Sequence, residues 1–358
     1  MTIVLQPPSQ GESRSDLADW LELHALQATR QKISSAALSN VLDFLEDDKS
    51  STTPDDDSDR SSGDRILDDE DRDATVAAAF EELQYRQEHL GAAYPFTVDA
   101  RRLVLSRAST TSGVDVGRTV YLFCLFASAI REARIQPKAL MAGLEKRIAD
   151  NFQICACLAA GGYLNGDVVS FGFPRATGTG FLPALRAAYG RFGVGDVCSE
   201  IPLGLPQSLK DGGIDVVAWR DHPDKMPSKL YLLGQSASGK DWKGKSVVEY
   251  IGQFHGAWFT NAPAKNCLPA MFIPFTLHAE LQEEAGLPFS DLIRRRFWYE
   301  EMRFGLIFDR LRIAHYADSI SNDAGELPKR VEGSDQFHKV QSWVTEAIRL
   351  VSPAEEAA

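Results

Sequence analysis

The sequence predicts an α/β chain, with a mainly helical N-terminal region ahead of a core in the order helix, three strands, helix, strand. Three observations carry this. Up to about residue 164 the apolar residues recur at helical spacing, as in Leu17, Trp20, Leu21, Ala25 and Ala28. From Gly166 the texture changes to short apolar runs separated by Gly and Pro. The 358 residues are 44% hydrophobic and 25% charged, a globular balance with enough chain for a sizeable core.

Residues 1–12 carry no such pattern. Two short amphipathic helices then fill a segment ending at residue 45, the second running through Leu38, Val41, Leu42 and Leu45. The stretch 46–75 is acidic, with thirteen acids against four bases between Glu46 and Asp73, a net of -9 out of the chain's -12. Having almost nothing apolar to bury, it reads as a solvated linker. Asp57, Asp59 and Ser61 have the early spacing of a calcium loop, but Ser62 stands where the turn needs glycine and Asp68 where a bidentate Glu is needed. A helical domain over 76–164 comes next. Val76, Phe80, Leu83, Gln87 and Leu90 share one helix face, PFTVDARRLVL reads as a strand, and Val120–Ile130 is a strongly apolar helix. Another helix passes through Met141, Leu144, Ile148, Phe152 and Cys155 and is expected to stop at Gly161 and Gly162. Cys155 and Cys157 have no third ligand nearby and read as small core residues.

In the core domain, expected over 165–320, DVVSFGF is a strand, FLPALRAAYGRF a helix, and VCSEIPL, GIDVVAW and KLYLLGQ are strands. Val247, Ile251, Phe254 and Trp258 mark the next helix, and AMFIPF is a last buried strand. Residues 294–317 continue as helix with strand character, and Phe337, Val340, Val344 and Ile348 form a closing helix within 321–358. The longest apolar run falls short of the ~20 residues that span a bilayer. No signal-peptide pattern opens the chain, and its five cysteines contain no CxxC. The expectation is a cytoplasmic protein with free thiols and no membrane partner. No HExxH or GxSxG pattern supports zinc or serine hydrolase chemistry.

Chemistry-bearing residues are densest in DGGIDVVAW, Asp211 to Trp219, and in LYLLGQSASGKDWKGK after a polar hairpin. Asp215 sits just inside an apolar strand, where a carboxylate is costly unless it is paired or binds a metal. Gln235 ends the neighbouring strand. Two such strands paired antiparallel bring an acid and a second oxygen ligand to one sheet edge, which suits Mg²⁺. Taken singly, Asp211 and Asp215 also read as turn and strand-end residues, and Gln235 as a satisfied polar group.

At these residues the sequence resembles the PD-(D/E)XK nuclease superfamily, and within it the Mrr-like restriction endonucleases. The resemblance covers roughly residues 178–280 and implies a restriction-endonuclease-like αβββαβ core. It implies a metal-dependent DNA endonuclease of restriction or anti-phage defence, working alongside protein partners, with a homo-oligomer left open. Mg²⁺ or Mn²⁺ would be held by Asp215 and Gln235, with Asp211 or Glu200 as a further acid. The family's lysine position is occupied by Ala237, so Lys240 and Lys243 are the expected replacements. The competing reading is a catalytically inactive nuclease fold that binds DNA or assembles a complex. Gly234 to Lys240 also fits the GxxxxGK of a P-loop, but Asp241 replaces the Ser or Thr that would ligand Mg²⁺. Candidate nucleic-acid contacts are Arg175, between Pro174 and a glycine-containing loop, and Arg294, Arg295 and Arg296 beside Phe297, Trp298 and Tyr299.

Overall fold

In the first half of the chain the computed structural model contains β1 (Val4–Leu5), α1 (Arg14–Gln27), β2 (Lys32–Ser34), α2 (Ser35–Ser50) and α3 (Ser62–Leu90). These are followed by β3 (Phe96–Asp99), β4 (Val104–Arg107), α4 (Val116–Arg131), β5 (Ile135–Gln136), α5 (Lys138–Glu145) and α6 (Ile148–Leu164). The second half runs β6 (Asp167–Ser170), α7 (Phe181–Phe192), β7 (Asp196–Val197), β8 (Val216–Arg220), β9 (Leu230–Ser236) and α8 (Val247–Trp258). It ends with β10 (Phe259–Asn261), β11 (Leu268–Phe272), α9 (Phe289–Phe304), β12 (Leu306–Phe308), α10 (Arg310–Ser319) and α11 (Phe337–Val351). The structure describes residues 3–8, 12–50, 62–109, 115–172, 179–205, 212–263, 267–280, 287–321 and 326–352. Among the described residues no helix is long and apolar enough to cross a membrane.

The chain is mixed α/β. Five strands form its main sheet in the order β12-β11-β9-β8-β6. β6, β8 and β9 pair antiparallel in succession, whereas β9, β11 and β12 run parallel. The parallel step from β9 to β11 is made through α8, as a parallel crossover requires. Alternation divides the strand side chains between two helical layers. Val168, Val216, Ala218, Leu232, Ala270 and Phe272 share a core with the apolar sides of α4, α6 and α10. On the other face Val169, Val217, Trp219 and Leu233 pack with α7 and α8, and Met271 and Ile307 with Phe304 of α9.

Several expectations change for identifiable reasons. Helix α6 passes through Gly161 and Gly162 and closes at Asn165, which takes the left-handed conformation with φ 47°. The glycines serve packing instead. A Cβ on Gly162 would lie 1.9 Å from the Tyr316 carbonyl oxygen of α10, so only glycine lets the two helices approach this closely. PFTVDARRLVL is a hairpin of β3 and β4, turned where Asp99 Oδ1 accepts the N–H groups of Arg101 and Arg102. VCSEIPL is strand only at its start, where β7 pairs with β10. The acidic stretch is helical over 46–50 and again from Ser62, and Val76, Phe80 and Leu83 anchor the later turns of α3. Residues 51–61, with Asp57, Asp59 and Ser61, lie outside the described residues.

The boundary expected at residue 165 is crossed by a continuous core, since α6 lies directly on the sheet. A buried ionic cluster makes the same connection. Arg310 Nη1 and Nη2 donate to Asp19 Oδ1 and Oδ2 at 2.6 and 2.7 Å, and Arg86 Nη1 donates to Asp19 Oδ1 at 2.6 Å. Arg86 also binds Glu82 at 2.6 Å, and His278 Nε2 stands 3.0 Å from both Glu82 oxygens. Burial opposes the charge on Asp19, but Arg310 and Arg86 outweigh it and hold its carboxyl below the usual range. Glu22 goes the other way: burial outweighs Arg86 and raises its carboxyl, which accepts the Tyr94 and Tyr121 hydroxyls at 2.6 and 2.7 Å.

Candidate functional site

Asp215 stands immediately before β8, in the fork between the end of β6 and the end of β9. Its carbonyl oxygen accepts three donors, the N–H groups of Phe171 and Gly172 at 2.7 and 3.0 Å and Gln153 Nε2 at 2.6 Å. Its own N–H donates to the Gly234 oxygen at 2.8 Å, and its Oδ2 accepts the Ser236 N–H at 2.8 Å. The carboxylate thus closes the β8–β9 ladder with a side-chain acceptor. Its Oδ1 is directed over Gly172, where an added Cβ would lie 2.9 Å from that oxygen and 3.0 Å from Gln153 Oε1. Two oxygen acceptors therefore converge beside a residue that has no side chain to fill the space.

This fork opens on a polar cavity of about 560 Å³, lined by Asp215, Gln153, Ser170, Ser236, Ser238 and Glu332, with Lys339 and His338 on the side formed by α11. Glu332 is brought there by backbone bonding: the 330–332 segment bridges to Val168 alongside β6, and the Ser170 N–H then donates to Glu332 Oε2 at 3.3 Å. Burial raises the Glu332 carboxyl above the usual range, against the opposing pull of Arg191 at 3.5 Å and the Ser170 N–H.

Gln235 lies opposite Asp215 by register and is bracketed by the two β9 residues that Asp215 binds, but its amide is not among the groups lining this cavity. It faces Met271 across the parallel ladder, and its Oε1 is buried with no hydrogen-bond partner. Ala237 is fully buried against Met271, Ile273, Phe304 and Ile307. The position where a strand lysine was expected is therefore a core position. Lys240 begins a short 3-10 helix, Lys240–Gly244, and its side chain lies outside the described residues. Lys243 has its ammonium 5.8 Å from the Trp242 ring and lines the cavity no more than Gln235 does.

Glu200 is exposed in a bend where Arg186 binds the neighbouring Cys198 and Ser199 carbonyls, so the structure does not bring it to Asp215. Asp211 and Arg175 lie outside the described residues. Gly234 belongs to β9 with its Cα against Phe272, and the residue that opens the next loop, Ala237, is buried, so this segment is not an open phosphate-cradling loop. On α9, Arg294 and Arg295 are exposed with Trp298 and Tyr299, whereas Arg296 is bound to Glu300 at 2.8 Å and partly buried. Cys155 and Cys157 are fully buried, and burial pushes the Cys157 thiol up to about 12.

Gln153 and Glu332 are the site residues that sequence reasoning missed. Gln153 left a weak signal, as the last polar side chain before the apolar run from Ile154 to Ala160. Among the described residues no group of three His, Cys, Asp or Glu side chains is placed to hold a metal. The oxygens present do fit a hard cation bound by one carboxylate and one neutral amide oxygen with water completing the shell: Asp215 Oδ1 and Gln153 Oε1 converge beside Gly172. A scan against protein-family models, a search of curated proteins and a search of solved structures each returned no match.

Proposed function

We propose that this chain is a Mg²⁺- or Mn²⁺-dependent nuclease of the PD-(D/E)XK type acting on DNA. The observation that carries the reading is Asp215, fixed at the strand fork by backbone bonds with one carboxylate oxygen directed towards a polar cavity. Of the elements the resemblance implies over 178–280, α7, β8, β9, α8 and β11 are present in that order and support it, whereas VCSEIPL lies outside the main sheet and β6, from before that range, is the strand beside β8. Asp215 and Gln153 would hold the metal, with water completing its shell. The metal supplies a lowered pKa for an attacking water and a counter-charge for the phosphorane. The protein's own part is positional. The Ser236 N–H orients the Asp215 carboxylate, and Gln153 is tied to the same strand end through the Asp215 carbonyl. Glu332, its carboxyl pushed up by burial, is the group in the cavity suited to accept a proton from water. The resemblance places such an activity in restriction or anti-phage defence, with protein partners.

A second reading, a nuclease fold that binds DNA without cutting it, is favoured by buried Ala237 and by Asp215 being, among the described residues, the one expected carboxylate at the site. One assay separates the two. The purified protein should nick or degrade duplex or single-stranded DNA with Mg²⁺ or Mn²⁺ and stop with EDTA. Absence of cleavage with any divalent ion, alone or with its cellular partners, would leave the non-catalytic reading.

A further inference from the structure

Ala237 leaves the strand end beside Asp215 without a cation of its own, but the helical layer supplies one from a distant part of the sequence. Arg131, the last residue of α4, reaches the end of β9, where its Nη2 donates to Ser238 Oγ at 3.3 Å. Ser238 lines both the cavity that holds Asp215 and a neighbouring cavity of about 620 Å³, and Arg131, which lines the second, is linked to the first through Ser238. In that second cavity Arg134 is already neutralised, with Glu12, Asp16 and Glu132 at 2.6, 3.4 and 3.1 Å. Arg131 differs. Among the described residues no carboxylate pairs with it, and its Nε is buried with no hydrogen-bond partner. A buried N–H left unpaired is costly, and a planar guanidinium matches a phosphate with two parallel bonds. Ser238 is two residues beyond Ser236, whose N–H binds the Asp215 carboxylate.

We infer that Arg131, held by Ser238, forms an anion subsite for a nucleic-acid phosphodiester next to Asp215 and provides the positive charge that the β9 strand lacks. The identity of the ligand rests on the nuclease reading, so binding is measured apart from cleavage.

The test uses the full chain, with fluorescein-labelled duplex and single-stranded DNA of about 20 nucleotides, anisotropy in EDTA over a range of salt, and then cleavage with Mg²⁺ or Mn²⁺. Arg131→Gln should weaken binding about tenfold and reduce the slope of log affinity against log salt by about one. Arg131→Lys, which keeps the charge but not the two parallel bonds, should restore the salt slope and recover only part of the affinity, and Asp215→Asn, which removes a negative charge beside the subsite, should bind no more weakly than the parent. Arg102→Ala, an 83% exposed arginine in the β3–β4 turn, should alter neither quantity. Parent-like affinity and slope in Arg131→Gln would overturn the subsite, as would a parent that binds no DNA. A loss confined to Lys339→Ala would overturn it too, assigning the charge to α11. Arg131-dependent binding by a parent that cuts nothing would retain the subsite and remove the nuclease reading.

Discussion

Asp215 gives one carboxylate oxygen to the Ser236 N–H and directs the other over Gly172. Asp215→Asn keeps an acceptor for that N–H while removing the charge. Stability should change by less than about 1.5 kcal/mol, and cleavage should fall on the order of 10²-fold or more. Thermal melts and nicking rates measure the two effects, and full activity would remove Asp215 from the site. Ala237 gives the opposite kind of prediction. Restoring the family lysine by Ala237→Lys should not rescue catalysis, because the ammonium would enter the core formed by Met271, Ile273, Phe304 and Ile307. The cost should be about 3 kcal/mol or more, read from the denaturation midpoint. Asp215 could be found in the sequence because a lone acid in an apolar strand after two glycines is locally improbable. Glu332 could not, since it reaches the site only through the bridge between Val168 and Val331, a contact no local pattern encodes.

At the scale of elements, the central strands and the helices α7, α8 and α11 follow the apolar spacing closely, because each buries one face or stripe. The sequence misled where packing overrode a local preference. Gly161 and Gly162 look like a helix stop and serve packing instead, Gly162 against Tyr316 and Ser319 of α10 and Gly161 against Val168, Ile320 and Val331. Two substitutions of the same chemistry should therefore have opposite signs. Gly162→Ala forces a methyl into the Tyr316 carbonyl and should destabilise by about 3 kcal/mol or more. Gly143→Ala in α5 meets nothing within 4 Å and should stabilise by about 0.5–1 kcal/mol. Equal thermal shifts in the two variants would contradict the packing of α6 against α10.

Across the whole molecule, the buried ionic groups set the response to acid. The Glu82 carboxyl is lowered to about 2: burial opposes its charge, but His278 and Arg86 prevail. Because this value lies below the ordinary 4.5, Glu82 stabilises the fold above about pH 4.5, and that contribution is lost as pH falls towards 2. His24 acts earlier. Burial lowers its pKa from 6.5 to about 4, so the unfolded chain takes up a proton over that interval while the folded chain does not. Stability is drained as pH falls through it. His24→Gln removes this loss, and its stability relative to the parent should rise steadily from pH 6.5 down to about 4. Denaturation curves at each pH measure the difference, and parallel profiles for the two proteins would refute it.

The pairing of Asp19 with Arg310 spans 291 positions, and that of Glu82 with His278 spans 196. Translation delivers these partners in sequence, so α1 and the acidic end of the cluster leave the ribosome long before their counter-ions have been made. Until α10 emerges, Asp19 has Arg86 but not Arg310 as a counter-ion, so the apolar sides of α1 and α3 can meet only around a carboxylate whose charge is incompletely paired. Final packing is therefore an event of the completed polypeptide. A chain halted before residue 310 would retain an open, acid-lined seam, the sort of surface by which a cell's quality-control machinery distinguishes an unfinished product from a finished one.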